Sequence, residues 1–114
     1  MAVGHERELT GIPMNIPGAS GATKKVLVGP NEGWDGWVMR LFILRADGAT
    51  PRHTHPWPHI NYIVRGKGLL FLDGEEAAVE PGSYAYIPGG SEHQFRAAGE
   101  ELTFICIVPE EGDK

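Results

Sequence analysis

Cysteine is nearly absent from this chain. Cys106 stands alone, so no disulfide can form within the molecule. Positive charge is scarce as well. Ten Lys and Arg face fifteen Asp and Glu, a net charge of −5. Gripping a phosphate backbone takes a basic patch, and Lys24-Lys25 is too small to be one. No apolar run approaches the roughly 18 residues that a membrane span needs. Residues 1–13 carry Glu6, Arg7 and Glu8 and contain no apolar stretch of the signal-peptide kind. No segment offers a convincing apolar stripe at helical spacing. These absences predict a cytoplasmic protein with neither nucleic acid nor membrane as a partner.

Turn formers are abundant. The 114 residues include 16 glycines and 9 prolines, about twice their usual share. They follow no Gly-X-Y period, and an apolar fraction of 41% is too high for a disordered linker. Many short elements joined by many turns predict a single all-β domain. A chain of this length buries about two thirds of its surface, so a metal or a subunit interface would contribute usefully to its stability.

Three regions follow. Residues 1–22 hold Gly4, Gly11, Pro13, Pro17, Gly18 and Gly21, and are expected to form an extended arm that needs another surface to dock on. Residues 23–109 are expected to form the β domain. Its expected strands are Lys25 to Val28, Trp37 to Leu44 (ended by a turn at Asp47-Gly48), His59 to Arg65, Leu69 to Leu72, Glu76 to Val79, Tyr84 to Ile87, His93 to Arg96 and Leu102 to Val108. Asp73-Gly74 is a two-residue hairpin signal of the type I′ kind. Residues 110–114 are an acidic tail, expected to fray.

Histidine carries the chemistry. Four of the five histidines, His53, His55, His59 and His93, lie between positions 53 and 93. Residues i and i+2 of a strand share a face, so His53 and His55 can aim at one point. His59 and His93 each open an apolar strand. Imidazole is the commonest ligand for borderline metals, and four neutral rings would hold one. His5 lies in the arm, apart from them.

The spacing resembles a known family. Gly48 to Gly66, GATPRHTHPWPHINYIVRG, resembles the first cupin motif: a glycine, His-x-His, an acidic ligand four residues on, and a glycine seven further. Gly82 to Ala97, GSYAYIPGGSEHQFRA, resembles the second, with Pro88, Gly90 and His93 in place. Lys67 to Pro81 matches the short hairpin between them, and the likeness covers residues 38–108. There are departures. The gap after Gly48 is one residue short, Ala97 replaces the usual Asn, and His59 stands where most cupins have a Glu ligand. In that last respect the chain looks like the small manganese-binding cupins with four histidines. Their His-x-His-Pro-Trp segment and Cys-containing last strand are echoed by His53 to Trp57 and by Phe104 to Pro109. Its site composition is also similar to that of the zinc-dependent aromatic polyketide cyclases of the superfamily.

The resemblance implies an antiparallel jelly-roll β-barrel with a divalent metal inside, commonly a homodimer in which the N-terminal arm reaches across. Manganese is the first expectation, with iron, zinc, nickel and copper open. Four neutral histidines leave a divalent ion's charge at +2, which strengthens its Lewis acidity and disfavours the trivalent state. Three functions compete: an oxidoreductase, dioxygenase-like, acting on a small organic substrate; a non-redox Lewis-acid cyclase, isomerase or lyase; and a metal-containing binding or sensing module. Alternation places Asn61 on the face of His59, where it would orient substrate or water, or make a structural hydrogen bond. Arg40, inside an apolar strand, is either a ligand-facing cation or half of a salt bridge. Asn61 and Arg40 are the candidate catalytic residues. Trp57 and Phe95 are candidate pocket walls, Tyr84 and Tyr86 candidate packing or supporting residues, and Cys106 a buried thiol.

Overall fold

The computed structural model describes residues 2–113, so Met1 of the expected arm and Lys114 of the expected tail lie outside the described residues. The chain is all-β. Its strands are β1 (Ile12–Pro13), β2 (Ser20–Val28), β3 (Trp37–Ala49), β4 (His59–Arg65), β5 (Gly68–Leu72), β6 (Glu75–Val79), β7 (Tyr84–Ile87), β8 (His93–Ala97) and β9 (Leu102–Pro109). All pairings are antiparallel. The order β6-β5-β8-β3-β9-β4-β7, with β2 on β3 and β1 on β2, curls into a nearly closed barrel.

Alternation decides which side chains enter the barrel. In β4, His59, Asn61 and Ile63 are buried while Ile60 and Tyr62 are exposed. In β9, Leu102, Phe104, Cys106 and Val108 all point inward. Leu44, Ile63, Leu70, Ile87 and Phe95 join them in one apolar core. Asp73 (φ 47°) and Gly74 (φ 87°) both adopt positive φ, as a type I′ hairpin requires.

Three local expectations give way. The first long strand begins at Ser20 rather than Lys25. Asp47-Gly48 does not end β3, which runs on to Ala49 and pairs there with Ser20. Gly48 makes this crossing feasible: a Cβ would sit 2.8 Å from the Ser20 carbonyl oxygen. The tail is not frayed over its described part, because Glu110–Asp113 forms a 3-10 turn with Gly112 buried against Trp57. The arm docks on its own chain. Ile12 pairs with Lys24, the Lys25 ammonium donates to the Glu6 carbonyl, and Arg65 pairs with Glu6 at 2.6 Å.

Candidate metal centre

The fold gathers all four sequence-selected histidines. His53 and His93 exchange backbone hydrogen bonds (3.2 and 3.1 Å) as an isolated antiparallel bridge, which sets their rings side by side. His55 follows on the same face, and its carbonyl accepts from the Gly90 amide at 2.8 Å. Gly89 is required there, since a Cβ would overlap the Pro56 carbonyl oxygen. His59 enters from the start of β4, where it pairs with Ile87. Ring nitrogens of His53, His55 and His93 lie within 4.8 Å of one another, and His59 Nε2 is 3.1 Å from His93 Nε2.

Each ring is oriented by an oxygen. The Nδ1 atoms lie 2.8 Å from the Pro51 carbonyl for His53, 2.8 Å from the Trp57 carbonyl for His55, and 2.9 Å from the Ser91 carbonyl for His93. For His59 the partner is Asn61 Oδ1, at 2.6 Å. A carbonyl oxygen only accepts, so each Nδ1 carries its ring's proton and each Nε2 presents a bare lone pair. No proton is then left to lie between His59 Nε2 and His93 Nε2. Two lone pairs facing each other at 3.1 Å repel unless a cation stands between the rings. Burial reinforces the neutral state. It pushes the His59 pKa down to about 3, with the neighbouring His93 acting the same way, and that of His93 down to about 4. His55 is lowered by the same cause. Four neutral imidazoles, each fixed through its far nitrogen, are the donor set and supporting shell of a borderline divalent metal, so the residues fit such an ion.

The rings open onto a cavity of about 500 Å³. Phe95, Phe104 and Phe42 form its aromatic wall, with ring centroids 4.3 Å (Phe95–Phe104) and 5.4 Å (Phe42–Phe104) apart. Trp57 also lines the cavity, its ring stacked on His55 at 4.8 Å and 12°. Asn61 is 1% exposed, and its other amide end donates to the Ile105 carbonyl at 3.2 Å. Both ends of that amide are engaged, which makes it a positioning residue for His59. Arg40 lines the cavity and also lies near a carboxylate, its Nη1 3.6 Å from Asp113 Oδ1. Cys106 is buried beneath it, and burial pushes the thiol pKa up against the pull of the Arg40 guanidinium. Tyr84 and Tyr86 do not support the site. They point outward, because Ala85 and Ile87 take the inward places of β7. Lys24 and Asp113, which also line the cavity, went unselected in the sequence.

Residues 40–108 match the cupin domain family (Cupin_2). The chain is a cupin. The 1-methylthio-D-xylulose 5-phosphate methylsulfurylase of Rhodospirillum rubrum is 38% identical over 77 residues, 67% of this cupin and 49% of the relative. An uncharacterised protein of Aquifex aeolicus is 36% identical over 45 residues, 40% of this cupin and 37% of its own length. The cupin thus spans half or less of the curated relatives it matches. Among solved structures, the polyketide cyclase RemF from Streptomyces resistomycificus superposes with a TM-score of 0.89 at 30% identity, covering 96% of this cupin and 79% of the cyclase. A predicted oxalate decarboxylase from Thermotoga maritima gives 0.84 at 20% identity, covering 94% and 97%, a likeness of fold alone.

Proposed function

We propose that this cupin is an enzyme that holds one divalent cation through His53, His55, His59 and His93 and acts as a non-redox Lewis-acid catalyst on a small organic substrate. The observation that carries the reading is the convergence of four Nε2 lone pairs whose rings are each fixed through Nδ1. His53, His55, His59 and His93 would hold a divalent ion with its full charge, and the chemistry it would supply is Lewis-acid polarisation of a substrate oxygen. The chain's own residues orient and enclose. Asn61 holds the His59 ring, Trp57 backs His55, and the three phenylalanines keep water from the inner wall. Likeness to a polyketide cyclase and a methylsulfurylase supports an enzyme.

Elemental analysis tests the site. Protein purified without chelator or nickel chromatography should carry about one divalent ion per chain. His53→Ala, His55→Ala, His59→Ala and His93→Ala should each lower metal content and Tm, while His5→Ala should leave metal content unchanged. Equal metal content in wild type and His59→Ala sinks the four-histidine reading. Full activity with redox-inert zinc supports Lewis-acid chemistry. Oxygen consumption that needs manganese or iron replaces it with the oxidoreductase reading, and ligand binding without turnover replaces it with a sensing module. We further propose a homodimer, supported by the exposed apolar face of β4 and β7.

A further inference from the structure

Arg40 is a largely enclosed cation with poor partners. Its side chain is 13% exposed and lies over the Phe42 ring, 4.9 Å from the centroid. A guanidinium offers five N–H donors. Here Nη2 donates to the Cys106 sulfur at 3.1 Å, a weak acceptor, and Nη1 reaches the Gly112 carbonyl only at 3.4 Å. Nε is buried and has no partner among the described residues. Among the described residues the anion near Arg40 is Asp113, which touches it through a single oxygen at 3.6 Å, and that same oxygen sits 3.0 Å from the Lys24 ammonium. A salt bridge that served only to tie down the tail would close these gaps. Leaving a largely enclosed guanidinium so loosely paired costs stability.

The position of this defect is informative. Arg40 pairs across the sheet with Cys106, and Cys106 with Asn61. The three share one rung of the inner wall, and Asn61 holds His59. Strands are about 4.8 Å apart, so Arg40 stands roughly two strand spacings, about 10 Å, from the wall that carries His59. The aromatic wall of Phe42 and Phe104 lies along the same cavity.

We propose that the cavity takes an organic anion whose acidic group displaces Asp113 and is gripped by Arg40 and Lys24, while its flat apolar body lies along the phenylalanines and its far end reaches the histidines. An oxyanion that meets Arg40 two-pronged supplies the missing hydrogen bonds. The 3-10 turn at Glu110–Asp113 is then a plug built into the chain, holding the anion site with its own carboxylate until the ligand arrives. The substrate class rests on the enzyme reading above; the anion site itself does not need the metal.

Calorimetric titration of the full chain with naphthalene-2-carboxylate and its isosteric carboxamide tests this, since the pair matches in shape and differs in charge and in one accepting oxygen replaced by a donating NH2. The carboxylate should bind about tenfold more tightly or better, both as purified and after dialysis against EDTA. Arg40→Gln should erase the preference and Lys24→Gln weaken it. Arg40→Lys should retain part of it, separating lost charge from lost folding. Asp113→Asn should strengthen carboxylate binding severalfold and leave the carboxamide unchanged. Equal affinities, no binding of the carboxylate at millimolar concentration, or a preference that survives Arg40→Gln overturns the proposal. A preference lost on metal removal overturns it too, because the carboxylate is then a metal ligand and the metal centre stands without the anion site. An Arg40-dependent preference in protein that never carries metal does the reverse: it upholds the anion site and sinks the metal reading.

Discussion

Each imidazole of the centre is oriented by an oxygen two residues away along the chain: Pro51 for His53, Trp57 for His55, Asn61 for His59 and Ser91 for His93. Extended backbone brings i and i±2 to the same side, so the geometry is local. That is why the ligand candidates were legible from spacing. Three of the oxygens are backbone carbonyls and no substitution removes them. Asn61 is the exception, and its sequence reading left open whether it faces substrate or structure. Asn61→Leu keeps the branched outline of the side chain but frees the His59 ring to turn or change tautomer. It should lower metal affinity by about 10–100-fold with the fold intact, measured by competition with a chromophoric chelator. Unchanged affinity would show that His59 does not depend on this bond. Lys24 and Asp113 could not be read in this way. They are 89 positions apart, and only the closed barrel makes them neighbours.

Strands were legible where alternation was clean, as in β4, and less so where the backbone departs from regular pairing. β2 and β3 are joined through shifts of register, and the Asp47-Gly48 turn signal falls inside one of them. A glycine that permits close approach looks, in sequence, like a glycine that makes a turn. Gly66 and Gly74 make the distinction testable. Both have positive φ, 84° and 87°. A Cβ on Gly74 meets nothing within 4 Å, whereas one on Gly66 would overlap the Glu101 carbonyl oxygen. Gly74→Ala should therefore cost only the left-handed penalty of about 1–2 kcal/mol. Gly66→Ala should cost more, about 3 kcal/mol or above, because backbone must also shift. Equal losses in urea denaturation would mean that the β4–β5 turn relaxes away from β9 at little cost.

At the scale of the whole molecule, the buried rings couple stability to pH. In metal-free protein His59 and His93 titrate near 3 and 4, well below the ordinary imidazole value of 6.5. As pH falls below about 6.5 the unfolded chain takes up protons first, so their contribution is complete above that value and is lost progressively towards pH 4 and below. Thermal melts of EDTA-treated protein should show Tm falling over this range, and a divalent ion at pH 7 should raise it. A flat Tm from pH 7 to 4 would mean the rings are already solvated. The proposed homodimer draws on the opposite face of the same strands. Ile60 pairs with Tyr86 and Tyr62 with Tyr84, and all four side chains are turned to solvent, Tyr84 at 84% exposure. Ile105 and Ile107 of β9 extend the patch as the cross-strand partners of Tyr62 and Ile60. A contiguous apolar surface of this kind marks an interaction site. β7 pairs only with β4 among the described residues, so it also offers a free strand edge. Such an edge and patch suit pairing about a two-fold axis, the symmetry of most homodimers. Light scattering on a sizing column should give about twice the 12.4 kDa chain mass at micromolar protein. Tyr84→Glu with Tyr86→Glu should return the monomer without loss of metal, because both side chains point away from the histidines. A wild-type monomer removes the dimer and leaves this face to another partner.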